Sequence, residues 1–201
     1  MQLVAKHRLS EFRKQFGKMD AFGMINYVFE SAKTSVTEKN PIATRRTDEN
    51  HLLNADFHFE SFQHREKTIL AAAARRLKKL IDSGLDSYDA FNVAQHQMID
   101  VARAYLERVV LEQFQSAISL IEDEKCKIVL TKLYNLYALS QIELNKDWFL
   151  EDGYMEAAKT KAIRKLVNQL CWDLRPDAVA LTDAFEIPEH CLAAPIATTR
   201  L

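Results

Sequence analysis

Between Ser87 and Ile121 the chain runs without a glycine or a proline. Its apolar residues recur at Phe91, Ala94, Met98, Ala102, Tyr105, Val109, Phe114, Ile118 and Ile121. Those steps follow the period of a helix face and not the alternation of a strand. Asp100, Arg103, Glu107, Arg108 and Glu112 fall between them and are assigned to the solvent side. Ser87 suits an N-cap, and Asp89 places a carboxylate in the positive first turn. An unbroken helix over this stretch would span about 50 Å at 1.5 Å per residue. Such a helix buries its stripe only if others lie along it, so the pattern predicts an all-α bundle built around one long central helix.

The same periodicity places other helices along the chain. Gln2–Phe16 carries Leu3, Val4, His7 and Phe12 on one side and stops at Gly17. Asp20–Thr37 turns Phe22, Ile25, Val28, Phe29 and Ala32 inward. Asn40–Asn54, with Pro41, Arg45, Arg46, Asp48, Glu49 and Asn50, has no period and is expected to be a linker. Phe57–Ser83 follows, with a stripe of Phe59, Phe62, Leu70, Ala73, Leu77, Leu80 and Ile81, and Gly84 as its stop. The short link from Gly84 to Ser87 makes this helix antiparallel to the long one. Glu122, Asp123 and Glu124 disfavour a helix C-terminus and suit a new N-terminus, so a break is expected there. Lys125–Leu144 carries Val129, Leu133, Leu136, Tyr137 and Ile142 inward. After a turn at Asp152–Gly153, Tyr154–Leu174 buries Ala158, Ala162, Leu166, Leu170 and Leu174. Pro176 ends that helix and opens a short one over Asp177–Phe185, with another expected at Pro188–Ala193.

Composition narrows the class. Of 201 residues only four are Gly and four are Pro, against an all-β fold. The 27 basic and 28 acidic residues leave a net charge of −1, which makes no electrostatic case for nucleic acid. The longest apolar run, Ile69–Ala74, is too short to cross a membrane. Lys6, Arg8 and Glu11 interrupt the amino terminus where a signal peptide would be apolar. Cys126, Cys171 and Cys191 are few, odd in number and far apart, as expected of reduced thiols in an intracellular protein.

Chemistry-bearing constellations are sparse. His7, His51, His58, His64, His96 and His190 include no i, i+4 pair and are read as surface or core-edge residues. Glu60 and His64 are four apart, one too many for the Glu-x-x-His pattern of a di-iron bundle. No glycine-rich loop precedes a helix to cradle a phosphate. Arg75, Arg76, Lys78 and Lys79 cluster on one helix and, with Lys6, Arg8, Arg13 and Lys14, could meet a phosphate-bearing ligand, but a solvated face is the favoured reading. Phe57, Phe59 and Phe62 are assigned to the core. Trp148 and Phe149 are expected in a loop before Gly153, capping the bundle or anchoring an interface.

Three stretches resemble the C-terminal part of the acyl-CoA oxidases: Phe59–Leu80 (FESFQHREKTILAAAARRLKKL), Ala102–Ala117 (ARAYLERVVLEQFQSA) and Arg175–Ile196 (RPDAVALTDAFEIPEHCLAAPI). The last is similar to the family's closing Asp-Ala-Val-Ala-Leu-Val-Asp-Ala-Phe, with Thr182 in place of Val. MQLVAKHRLSEF, at Met1–Phe12, resembles the helix that follows the family's catalytic glutamate turn. The resemblance implies that residues 1–38 are terminal helices of a preceding dehydrogenase-like helical domain, 39–54 a linker and 55–201 the C-terminal bundle. It implies that the base and most flavin contacts lie outside this sequence, so no residue is assigned a catalytic, cofactor-binding or metal-binding role.

The expected function is that portion of an FAD-dependent oxidase converting fatty acyl-CoA to trans-2-enoyl-CoA with release of hydrogen peroxide. This portion would supply scaffold, subunit interface and part of the acyl-channel wall. FAD is expected in the complete enzyme and not on this chain alone. The expected partners are the flavin-binding domains, as a missing upstream part or a separate chain, within a homo- or hetero-oligomer. The alternative is a non-catalytic helical subunit that stabilises a separate flavoprotein. Thr199–Arg200–Leu201 only loosely resembles the peroxisomal Ser-Lys-Leu ending, so a bacterial cytoplasmic setting is expected, or a peroxisomal one in a eukaryote.

Overall fold

The computed structural model describes residues 45–188 and Cys191. The helices expected at Gln2–Phe16 and Asp20–Thr37 lie outside the described residues, as does most of Pro188–Ala193. Every described element is helical: α1 (Glu49–Leu52), α2 (Ala55–Asp82), α3 (Ser87–Val93), α4 (Gln95–Ser119), α5 (Glu124–Leu144), α6 (Lys146–Glu151), α7 (Ala157–Leu174), a 3-10 turn (Arg175–Asp177) and α8 (Ala178–Asp183). α2 packs along α4, α5 packs along α7, and α4 against α5 joins the two pairs.

Side-chain caps start the helices where the sequence needs them. Asn54 accepts from the Asp56 amide at 2.7 Å to open α2, and Asp123 accepts from the Cys126 amide at 2.7 Å to open α5. The latter places the expected break, since the acidic residues after Leu120 serve a new N-terminus. Gly84, at φ +99°, stops α2 in a conformation that costs other residues strain.

Two expectations about the central helix are corrected. The cap is Asp86, whose carboxylate accepts from the amides of Tyr88 and Asp89, and Ser87 is the first helical residue. The helix is also broken at Ala94 (φ −90°, ψ 4°), which ends α3 and begins α4. Ala90 and Ala94 are fully buried and pack with Leu77 of α2, so α3 turns its two smallest apolar residues onto the end of that helix. The bend occurs without Gly or Pro, which is why no sequence signal marks it.

The expected stripe is buried only in part: Ala94 is buried, and Met98, Phe114 and Ile118 pack against the core, but its middle faces elsewhere. Ala104 and Leu111 are buried, whereas Phe91, Ala102 and Tyr105 of the anticipated stripe are exposed and Val109 is half-buried. Ala94, Val101, Ala104, Arg108 and Leu111 recur at the spacing of one face, and that face carries a charge. Between Ala102 and Val109, assigning charged residues to solvent therefore selected the neighbouring face.

The larger core gathers Phe62 of α2, Leu111 of α4, Leu139 and Ile142 of α5, and Ile163 and Leu170 of α7. Part of the expected linker belongs to it. Glu49–Leu52 is helical, capped by Asp48, and Leu52 is buried in this core. On α7, Ala158 is exposed and Ile163 takes the inward place.

Candidate functional site

Two polar joints organise the bundle. The first is the seam between α2 and α4. Arg65 of α2 donates to Glu107 of α4, and Arg108 of α4 donates to Glu66 of α2. Arg108 also donates to Glu112 at 2.7 Å, one turn further along its own helix. Burial pulls the Arg108 guanidinium down, but the carboxylates of Glu66 and Glu112 more than offset it, so its pKa is raised. Arg65 is only 8% exposed, and its buried Nε has no hydrogen-bond partner among the described residues. A cavity of about 10 Å³ lies beside it, lined by Phe62, Ala104, Glu107, Gln141 and Asn145. Glu107, expected on the solvent side, is thus part of the seam.

The second joint ties α1 to the bundle. His58, fully buried on α2, bonds through Nε2 to the Leu52 carbonyl at 2.6 Å. The bond requires Nε2–H as donor, so the neutral ring carries its proton there. Burial pushes the His58 imidazole down to about 4, with the Leu52 bond opposing and His51 adding to the effect. Lys159, buried in the first turn of α7, places Nζ 3.0 Å from His51 Nε2 and 4.0 Å from the centre of the Phe57 ring. Burial, with Arg46 adding and Asp48 and Glu60 opposing, lowers Lys159 to about 8. His51 is lowered by burial and then by Lys159 and Arg46, against Asp48. The histidines are therefore not all surface or core-edge residues: His58 sits in the core.

The remaining expected residues are dispersed. His64 does not meet a metal partner in Glu60. It bonds Asp152 at 2.8 Å and stacks on Tyr154 with ring centres 4.3 Å apart. Among the described residues no group of three His, Cys, Asp or Glu could hold a metal ion. Arg75, Arg76, Lys78 and Lys79 lie exposed on the C-terminal half of α2, while Lys6, Arg8, Arg13 and Lys14 lie outside the described residues. Trp148 and Phe149 are in α6 and not in a loop. Phe149 is buried in the core, and half-buried Trp148 meets it edge-on at 5.1 Å. Cys126, Cys171 and Cys191 are free and exposed. A surface groove of about 360 Å³ between the start of α2 and the end of α4 is lined by Asp56, Phe59, Glu112, Gln113 and Ser116. Its two carboxylates make it a poor seat for phosphate. No helix among the described residues is long and apolar enough to cross a membrane.

An all-helical bundle with polar joints and no catalytic cluster among its described residues is a structural class, and comparison supplies its family. Residues 54–199 match the family model described as acyl-CoA oxidase. Acyl-coenzyme A oxidase 2, peroxisomal, of Arabidopsis thaliana is 31% identical over 197 residues, which is 98% of this chain and 28% of that relative. Peroxisomal acyl-coenzyme A oxidase 2 of Rattus norvegicus is 33% identical over 62% of this chain and 18% of its own length. The crystal structure of acyl-CoA oxidase 1 from Yarrowia lipolytica superimposes with a TM-score of 0.72 at 24% identity, over 89% of this chain and 28% of that one. The chain belongs to the acyl-CoA oxidase family. It spans less than a third of the length of these relatives. Those named peroxisomal come from a plant and a mammal, which lends no support to a bacterial cytoplasmic source.

Proposed function

We propose that this chain is the C-terminal helical portion of a peroxisomal acyl-CoA oxidase, the enzyme class that converts fatty acyl-CoA to trans-2-enoyl-CoA and passes the electrons through FAD to oxygen. Its part is scaffold, subunit interface and part of the acyl-channel wall, and residues outside the bundle hold the flavin and the base. Residues 1–38 complete the preceding helical domain, 39–54 lead from it into the bundle with α1 already packed on the core, and 55–201 are the rest of the bundle. The carrying observation is coverage: nearly the whole chain aligns with little more than a quarter of the Arabidopsis relative. The exposed side of α4 agrees with this, because Ile99, Leu106 and Val110 add a second apolar face to a helix already buried on the first. Exposed apolar residues grouped on one side of a helix are a surface that a further domain can cover.

Two features of the described residues support placing the flavin elsewhere. These residues include no glycine-rich turn at a helix N-terminus, and the groove between α2 and α4 presents Asp56 and Glu112 where a diphosphate would need donors. No step of the oxidation is routed through them. The test is direct: the purified chain is expected to be colourless and to release no peroxide from palmitoyl-CoA. Co-purifying stoichiometric flavin would overturn the proposal.

A further inference from the structure

We propose that α1 is an acid-released latch: the imidazoles of His51 and His58, bonded to Lys159 and to the Leu52 carbonyl, hold α1 against the bundle only while both rings are neutral. The inference stands on the geometry of the joint and does not depend on the enzyme assignment.

α1 is four residues long, too short to be stable by itself. Among the described residues α1 is held by Leu52 buried in the core, the His58 bond to the Leu52 carbonyl, the Lys159–His51 contact and the His51 ring 4.6 Å from that of Phe57. The Arg45–Glu156 pair lies nearby but is well exposed, so it adds little. Lys159 is an ammonium donor at neutral pH, so His51 Nε2 must be the acceptor, which only the neutral ring provides. Protonating His51 sets two cations 3.0 Å apart. Arg46 on the same segment adds a third, and Asp48 is the carboxylate opposing them. Glu60 on α2 acts on Lys159.

His58 works in the same direction. Its neighbours are His51 from α1, Phe57 on its own helix and Tyr134 from α5, whose ring lies 5.8 Å away. Its Nδ1 is buried without a hydrogen-bond partner among the described residues. A second proton would go to that atom and leave a charge enclosed by aromatic rings.

Releasing α1 exposes both rings, which then titrate near the ordinary value of about 6.5. In the closed state both are lowered. The open form therefore binds more protons in acid. The contribution of the two rings is at full strength above about pH 7 and weakens as pH falls through 6.5 toward about 4, where His58 charges even in the closed state. From His58 alone, closure should weaken roughly 30-fold between pH 7.5 and pH 5, and His51 adds to this.

Native-state hydrogen exchange on the full chain, corrected for intrinsic chemistry, reads the latch. The reporters are the amides of Leu52, Leu53 and His58, bonded to the carbonyls of Asp48, Glu49 and Asn54. Their protection should fall at least about 30-fold from pH 7.5 to pH 5, against a much smaller change for amides in the middle of α5. In the double variant His51→Gln/His58→Gln the fall should disappear, because glutamine offers a donor and an acceptor without titrating. Because that variant could fold poorly, the rings of the unaltered chain are also titrated by NMR, where both should ionise below 6.5. Equal protection at the two pH values, an undiminished fall in the double variant, or rings ionising at or above 6.5 would each overturn the proposal.

Discussion

Arg65 of α2 holds Glu107 of α4, and one residue further along each helix the signs are exchanged, with Glu66 holding Arg108. The exchange fixes register. A slip or turn of one helix that brought Arg65 to Arg108, or Glu66 to Glu107, would set like charges together. An apolar seam of alanines and leucines tolerates such a slip far better, so the pairs contribute specificity as well as attraction.

Removing one partner should therefore cost more than removing both. Glu107→Ala leaves the Arg65 guanidinium largely buried and unpaired, a loss of about 2–4 kcal/mol when discounted for partial exposure. Arg65→Met/Glu107→Leu replaces the pair by packing and should lie within about 1 kcal/mol of the parent. Urea unfolding followed by circular dichroism separates the two. A double variant less stable than Glu107→Ala would show that the pair itself supplies the stability.

The two faces of α4 predict opposite outcomes for two leucines five positions apart. Leu111 is fully buried, and Leu111→Ala should cost about 2–5 kcal/mol. Leu106 is 59% exposed. Leu106→Ala should change the isolated chain by no more than about 0.5 kcal/mol. Similar melting temperatures for the two variants would place the buried face elsewhere.

α6 offers a third contrast. Phe149 is enclosed by the core and Phe149→Ala should cost about 3–5 kcal/mol. Trp148 lies half-buried against Phe149 and His64, and Trp148→Ala should cost less than half as much. Thermal melts of the pair decide it, and a larger loss at Trp148 would make it the anchor of this corner.

Helix existence was legible from periodicity: α2, α5 and α7 lie within a few residues of their expected bounds, because Asn54, Gly84, Asp123 and Gly153 act through local geometry alone. The facing of α4 was legible at its ends, where Met98, Phe114 and Ile118 pack inward, and not in its middle. Its outer residues Ile99, Ala102, Tyr105, Leu106 and Val110 form an apolar band that imitates a core stripe, while the true inner face carries Arg108 beside Glu107. A charge partnered from another helix cannot be told from a solvated one in a single sequence. α1 was missed for a related reason: one turn is too short to have a period, and its attachment depends on His58 and Lys159, 108 positions separating Lys159 from His51. The i, i+3 spacing of Asp48 and His51, a local cap, was the one available signal.

The position of α1 also decides where the chain should be cut. Arg45 and Arg46 precede the Asp48 cap, and their side chains are 74% and 50% exposed. Cleavage after Arg46 leaves Asp48 able to cap α1 and leaves Leu52 and the Lys159–His51 contact in place. Within α2, α5 and α7 the Lys and Arg residues lie on hydrogen-bonded helical backbone, which must unfold locally before a protease can accept it. Brief trypsin treatment at pH 7.5 should therefore yield a persistent product beginning at Thr47, identifiable by intact mass, with the helical signal of α2–α7 retained. The same product should become susceptible to further trimming of its first turn at pH 5, read with an acid-active protease, if the joint through His51 and His58 opens as its chemistry dictates. Early cleavage inside α2 or α7, or loss of helicity once the residues before Thr47 are removed, would mean that the bundle depends on the segment ahead of it and does not close upon α1.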